Sequence, residues 1–242
     1  MKEIHFLENT FGGRWFGIRF SNDGNGEGQY PKHPISFCRA VSDSRMGPVV
    51  LTREYTDCLG GNRSLGWLED DEMLAEEMVG KAKIDADITK RIVADTPKLK
   101  QGFDRVIIGT QFSPDIFISY AHPEVAMKVI RMWQRMTGTT PSLSPSAFLS
   151  VCGTVAANVY STDTISISFG CPESRKTSRI GKDRLVIGIS QKQVKKIMAE
   201  VFNLEEKAIK NDTDFSDIAE WDSLNHLNLI LSLEKEFNIR FE

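Results

Sequence analysis

The stretch Asp222-Ser223-Leu224-Asn225-His226-Leu227 opens an amphipathic segment close to the end of the chain. Asp222 is a residue type that caps helices, because its carboxylate accepts hydrogen bonds from the first backbone N–H groups. The apolar residues that follow recur at helical spacing, and they are Leu224, Leu227, Ile230, Leu231, Leu233 and Phe237. The pattern predicts a helix that starts at Ser223 and buries one face, with Ser223 exposed on its first turn.

This position suits a phosphorylated serine. A phosphodiester on Ser223 would meet unpaired backbone N–H groups and the positive end of the helix dipole, and both stabilise an anion. The plainer alternative is an ordinary helix start capped by Asp222.

A second amphipathic helix is predicted upstream. Ser190-Gln191-Lys192-Gln193 has the pattern of a capping box. Apolar residues then recur at intervals of three and four, namely Val194, Ile197, Met198, Val201 and Phe202. Two such helices can bury their apolar faces against each other. Residues 191–242 hold seven Lys/Arg and eleven Asp/Glu, which concentrates negative charge in this tail because the whole chain is only −3.

Residues 194–241 resemble an acyl carrier protein domain, with the Asp-Ser-Leu of that family at Asp222, Ser223 and Leu224. The resemblance implies a small all-α bundle in which Ser223 bears 4′-phosphopantetheine, whose thiol holds an acyl or aminoacyl group as a thioester. It also implies a phosphopantetheinyl transferase, an acyl- or aminoacyl-loading ligase and a downstream tailoring enzyme as partners, in a natural-product, fatty-acid or polyketide type of biosynthesis. We expect this domain to be incomplete, because the sequence ends where a further helix is due.

Residues 1–190 are predicted to form a larger domain, and residues 191–242 the carrier domain. Strand patterns occur at 15–20, 105–108, 115–119, 164–168 and 184–187, and helical patterns occur at 35–42, at 70–79 and after Pro123. Because strands and helices are mixed throughout, the predicted fold class of the larger domain is α+β or α/β.

The four cysteines of the chain, Cys38, Cys58, Cys152 and Cys171, all fall in the larger domain. Glycines close to Cys58, Cys152 and Cys171 allow backbone N–H groups to approach these sulfur atoms. There is no Cys-x-x-Cys pair, which disfavours a zinc knuckle, whereas iron–sulfur ligation tolerates dispersed cysteines. Three interpretations stay open: the four cysteines hold an iron–sulfur cluster or another thiolate-bound metal, they provide a catalytic or acyl-accepting thiol, or they only pack.

Short motifs around these cysteines resemble the ArCR-type family of uncharacterised domains, from about residue 15 to residue 189. The motifs are Phe37-Cys38-Arg39-Ala40-Val41, Cys58-Leu59-Gly60-Gly61, Pro114-Asp115, Val151-Cys152 and Gly170-Cys171. The resemblance implies a fold and a cysteine set, but no reaction. Arg39 and Arg175 each follow a cysteine closely, where they would hold a carboxylate or phosphate, lower a thiol pKa, or form surface salt bridges.

Composition narrows the function classes. No apolar run approaches the roughly 20 residues that span a bilayer, and no export signal is present, so we expect a cytoplasmic protein with no membrane partner. A pI of about 5.9 without a basic cluster disfavours nucleic acid.

The leading hypothesis is a biosynthetic carrier whose cargo is bound or modified by the cysteine-containing domain of the same chain, of another subunit in a homo-oligomer, or of a separate enzyme. The alternative is a non-catalytic metal-sensing, redox-sensing or docking domain that delivers the carrier to separate enzymes. Whether the larger domain is an enzyme stays open.

Overall fold

The computed structural model describes residues 2–23, 28–100, 102–141, 143, 145–178, 180–181, 183–202, 205 and 209. Within them the strands are Trp15–Ser21 (β1), Val49–Leu51 (β2), Arg105–Gly109 (β3), Ile116–Ala121 (β4), Ile165–Ser168 (β5) and Leu185–Ser190 (β6). The α-helices are Lys2–Phe11 (α1), Phe37–Asp43 (α2), Leu59–Ser64 (α3), Asp71–Ala82 (α4), Ala86–Asp95 (α5), Pro123–Thr137 (α6), Asn158–Thr162 (α7), Pro172–Thr177 (α8) and Gln191–Phe202 (α9). A π-helix, Ser150–Ala157, precedes α7. The predicted helix that starts at Ser223, with Asp222 and Leu224, lies outside the described residues.

The strands form one six-stranded sheet in the order β2-β3-β1-β4-β6-β5. Every neighbouring pair is antiparallel; Ile18 of β1, for example, lies between Ile108 of β3 and Ile116 of β4. The larger domain is therefore α+β, which confirms the first of the two predicted classes. The helices of the described part are too short or too polar to cross a membrane.

Both faces of the sheet are covered, because successive side chains of a strand point to opposite faces. In β1, Phe16 and Ile18 belong to one core cluster, with α2, the π-helix and α7, whereas Trp15 belongs to a second cluster. The second cluster includes residues of α1, α6 and α9. Burial on both faces explains why the strands read as nearly continuous apolar runs, such as Ile116 to Ile118.

Helix α9 begins where the capping pattern predicts. The Ser190 hydroxyl accepts a hydrogen bond from the Gln193 backbone N–H at 3.2 Å, as an N-cap does. The Gln193 side chain, however, donates to the Asp163 carbonyl at 2.8 Å instead of completing the capping box.

The apolar face of α9 is buried in the larger domain. Val194, Ile197 and Met198 pack in the second core cluster, and the helix contacts α1, α6 and β6. The Phe202 ring also meets the Phe6 ring edge to face, at 5.6 Å between centroids. This part of the predicted carrier domain is thus fixed to the larger domain, and the boundary at residue 190 stays a prediction.

Candidate functional site

The fold brings all four cysteines to one small cavity. Cys38 lies in the first turn of α2, Cys58 and Cys171 are the N-cap residues of α3 and α8, and Cys152 lies in the π-helix. Their side chains line a cavity of about 40 Å³, which we call the thiol cavity. None of the four forms a disulfide. Segments more than a hundred residues apart in sequence therefore meet at one site.

Cys58 is held by the backbone of its own helix. Its sulfur accepts hydrogen bonds from the N–H groups of Gly61 and Gly60, as expected for glycines beside a thiol. These hydrogen bonds lower the pKa of the Cys58 thiol, but burial has the larger effect and raises it to about 12. Cys58 is therefore a neutral thiol near pH 7.

Cys152 is more deeply buried and is also neutral. Burial raises the pKa of the Cys152 thiol, the neighbouring Cys58 adds to this increase, and the Ser64 hydroxyl opposes it. The Cys152 sulfur lies 3.5 Å from the Gly60 carbonyl oxygen, to which its S–H can donate. Because the thiolate is the reactive form, neither Cys58 nor Cys152 is prepared for nucleophilic attack.

The other two sulfur atoms contact hydroxyl and amide groups. The Cys38 sulfur lies 3.2 Å from the Ser36 hydroxyl, and the Cys38 carbonyl accepts a hydrogen bond from the buried Tyr120 hydroxyl at 3.2 Å. The Cys171 sulfur accepts a hydrogen bond from the Ser174 backbone N–H at 3.3 Å. Cys38 is buried and Cys171 is partly exposed, so Cys171 lies nearer the solvent.

The wall opposite α3 has a strained backbone. Leu149, the residue before the π-helix, has a φ of 49°, a left-handed conformation that is unfavourable for a bulky residue. Its side chain occupies the space that a Cβ at position 60 would need, since such an atom would lie 2.4 Å from Leu149 Cδ2. A side chain at position 60 would therefore have to displace the end of the Leu149 side chain. Backbone strain and π-helices are both concentrated at functional sites in proteins.

The two arginines near the cysteines have other partners. Arg39 pairs with Asp43 at 2.8 Å on the surface. Arg175 donates hydrogen bonds to the carbonyl oxygens of Gly181 at 2.7 Å and Arg184 at 3.0 Å. These contacts favour structural roles for both side chains.

The described residues contain no group of three or more His, Cys, Asp or Glu side chains arranged to hold a metal ion. The four cysteines line the same cavity, but they do not form such a group. A cavity of about 40 Å³ has room for a single ion or for about one water molecule, whose share of liquid volume is roughly 30 Å³. This volume favours a single ion over a multi-iron cluster.

Some members of the site could have been found from the sequence. Gly170-Cys171-Pro172 carries a proline at the first helical position, which marks Cys171 as the N-cap. The left-handed Leu149 and the contact of Tyr120 with Cys38 have no local signal, because both depend on distant segments.

Two family models match different parts of the chain. A family model described as uncharacterised ArCR matches residues 14–200. A model described as a phosphopantetheine attachment site matches residues 192–242, which include Asp222, Ser223 and Leu224. The two matches overlap at 192–200, within α9. No solved structure gives a significant match to the chain.

Proposed function

Because this chain belongs to the uncharacterised ArCR family and ends in a phosphopantetheine attachment domain, we propose that it is a biosynthetic carrier protein whose cargo is bound or modified by its larger domain. The arm, 4′-phosphopantetheine, is attached to Ser223 and holds an acyl or aminoacyl group as a thioester. The observation that supports this proposal is the match of residues 192–242 to a phosphopantetheine attachment model, a range that includes Asp222, Ser223 and Leu224.

The proposed chemistry at Ser223 is the transfer of one group. A phosphopantetheinyl transferase, the partner that an attachment domain implies, moves the phosphopantetheinyl group from coenzyme A to the Ser223 oxygen and releases adenosine bisphosphate. Asp222 and Leu224 flank Ser223 in the Asp-Ser-Leu motif, and we propose that they help to present it to the transferase. A loading ligase and a downstream tailoring enzyme are the further partners that we propose.

The fusion of the larger domain to the carrier domain supports the proposal. A carrier tethered to its target encounters it at an effective concentration of about millimolar. The neutral state of Cys58 and Cys152 argues against covalent transfer of the cargo to either of these thiols. We therefore favour non-covalent binding of the cargo over its transfer to Cys58 or Cys152.

A second candidate function rests on the convergence of Cys38, Cys58, Cys152 and Cys171 on one cavity. Neutral buried thiols become thiolates when a cation compensates their charge, so a soft metal ion would stabilise this cavity. The volume favours one ion over an iron–sulfur cluster. The sulfur atoms would have to move toward the ion, and such a domain would act as a metal or redox sensor that delivers the carrier to separate enzymes.

Cadmium binding tests the metal candidate. We expect the reduced full chain to bind one Cd²⁺ with ultraviolet cadmium–thiolate absorption, and Cys58→Ser and Cys171→Ser to weaken binding at least about tenfold, a loss of roughly 1.4 kcal/mol. Binding should strengthen as the pH rises, because thiols must lose protons to bind. Absence of thiolate absorption in the folded chain would remove this candidate.

Loading in vitro tests the carrier. We expect the full chain, incubated with coenzyme A and a phosphopantetheinyl transferase, to gain the mass of one phosphopantetheinyl group. Ser223→Ala should gain none, whereas the matched control Ser232→Ala should load normally, since Ser232 lies later in the same apolar segment. Equal loading of Ser223→Ala and the parent chain would contradict the proposal.

A further inference from the structure

A cleft of about 610 Å³ lies beside the thiol cavity, and nothing described so far uses it. This volume is within the range of about 300 to 1,000 Å³ that is typical of small-molecule sites. The cleft residues used below are Tyr30, Lys32, His33, Ile35, Met46 and Gln111.

The cleft combines an apolar wall with polar groups at its rim. Tyr30, Ile35 and Met46 supply apolar surface, and Met46 is 94% exposed, so a large apolar side chain is left in water. Lys32 and His33 are exposed and can meet an anion, and Gln111 offers an amide. An apolar wall with a few polar groups is typical of ligand sites.

Two paired segments connect the cleft with the thiol cavity. The Ile35 N–H donates to the Tyr55 carbonyl at 3.0 Å, and the Asp57 N–H donates to the Ile35 carbonyl at 3.4 Å. One segment continues from Ile35 in the cleft to Cys38 in the thiol cavity, and the other continues from Tyr55 to Cys58. Three residues span at most roughly 11 Å, so the two sites are neighbours.

We propose that this cleft binds the phosphopantetheine arm of Ser223, with the thioester end directed along Ile35 toward the thiol cavity; this rests on the proposed function. The phosphodiester of the arm meets Lys32 and His33, its methylated carbon packs on Tyr30 and Met46, and its amides meet Gln111. Asp43 is the only acidic residue among the described residues of the lining; it is compensated by Arg39 at 2.8 Å and does not repel the phosphate strongly. The net negative charge of residues 191–242 complements the two basic rim residues.

A fully extended chain between α9 and Ser223 is long enough for this contact. Helix α9 packs on the sheet face opposite the one that carries the thiol cavity, so the arm must pass around the sheet. From Phe202 at the end of α9 to Ser223 the backbone can span at most roughly 70 Å. This exceeds the roughly 40 Å diameter of a domain of this size. A segment folded into a compact carrier domain spans less than this limit, and the arm of a second copy is then the one that enters the cleft.

Free 4′-phosphopantetheine is the probe that tests the cleft. The full chain with Ser223→Ala is titrated by calorimetry, because it cannot carry an arm of its own. We expect saturable binding, and Met46→Glu or Lys32→Glu should raise the Kd at least about tenfold. Both side chains are exposed, so neither change should unfold the chain. The matched control for Met46 is Met127→Glu, since Met127 is 51% exposed on α6 and lies outside the cleft.

The possible outcomes separate this proposal from the carrier function. If the parent chain loads at Ser223 but the Ser223→Ala chain does not bind the probe, or binds it equally after Met46→Glu, the cleft proposal is wrong and the carrier function stands. If the parent chain does not load, the carrier function itself fails. Hydrogen exchange gives a second readout: loading should protect amides at 30–35 and 46–49, and unchanged exchange there would overturn the proposal.

Discussion

Alkylation of Cys58 by iodoacetamide at pH 8 should be about a thousandfold slower in the folded chain than in the chain unfolded in urea. An unfolded cysteine has a pKa of about 8.5, whereas burial raises the pKa of Cys58 to about 12. Because only the thiolate reacts, the rate follows the ionised fraction. Peptide mass spectrometry after timed quenching measures the rate at each cysteine separately.

The same burial predicts how stability depends on pH. A thiol whose pKa is higher in the folded state than in the unfolded state adds stability below the unfolded pKa. This stability is lost as the pH rises from the pKa of the unfolded thiol to the pKa of the folded thiol. We therefore expect the free energy of unfolding to fall above about pH 8.5, by about 1.4 kcal/mol per pH unit for each such thiol, and Cys58→Ala to reduce the slope. Rapid alkylation of Cys58 in the folded chain would contradict the neutral-thiol interpretation and favour an acyl-accepting thiol.

Arg63→Met should lower the free energy of unfolding by about 3 kcal/mol, because a partly buried ion pair and its hydrogen bonds are lost. Arg63 is 1% exposed; its Nε donates to Asp71 at 3.0 Å and its Nη1 donates to the Thr96 carbonyl at 2.6 Å. The side chain ties α3, which begins next to Cys58, to α4 and to the end of α5. Urea denaturation measures the loss.

Arg39→Met is the matched control for this prediction. Arg39 and Asp43 also form an arginine–aspartate pair, but their side chains are 38% and 40% exposed, so we expect the free energy of unfolding to fall by less than about 1 kcal/mol.

Acid should reduce the effect of Arg63→Met. Burial raises the pKa of Asp71, but hydrogen bonds from Arg63 and Lys98 outweigh it and leave the pKa lowered. The contribution of this carboxylate is present above about pH 4 and is lost as the pH falls further. Equal losses of unfolding free energy in Arg63→Met and Arg39→Met would contradict the assigned role of Arg63.

Local patterns in the sequence were sufficient for the α+β class and for most of the sheet. The runs at 15–20 and 115–119 correspond to β1 and β4, and Ser190 caps α9 as its pattern predicts. The short strand β2 was not predicted, because three residues carry too little periodicity. The helix pattern of α9 gave its position but not its packing partner, since an amphipathic face does not specify what covers it.

The thiol cavity could not be derived from local patterns. The sequence identified Cys38, Cys58, Cys152 and Cys171 as a set, through neighbouring glycines and a family resemblance, but their convergence depends on the order of strands in the sheet. The neutral state of Cys58 follows from burial, which the sequence does not report. The cleft near Tyr30 was also missed, because its wall combines residues from several loops.

The most direct measurement of the central claim is tandem mass spectrometry of the tryptic peptide 211–235 from chain treated with coenzyme A and the transferase. This peptide contains Ser216, Ser223 and Ser232, so fragmentation can assign the modified residue. We predict that the phosphopantetheinyl group is found on Ser223 and is ejected from fragments that contain it. Modification of Ser216 or Ser232 instead, or an unmodified peptide after complete treatment, would contradict the account.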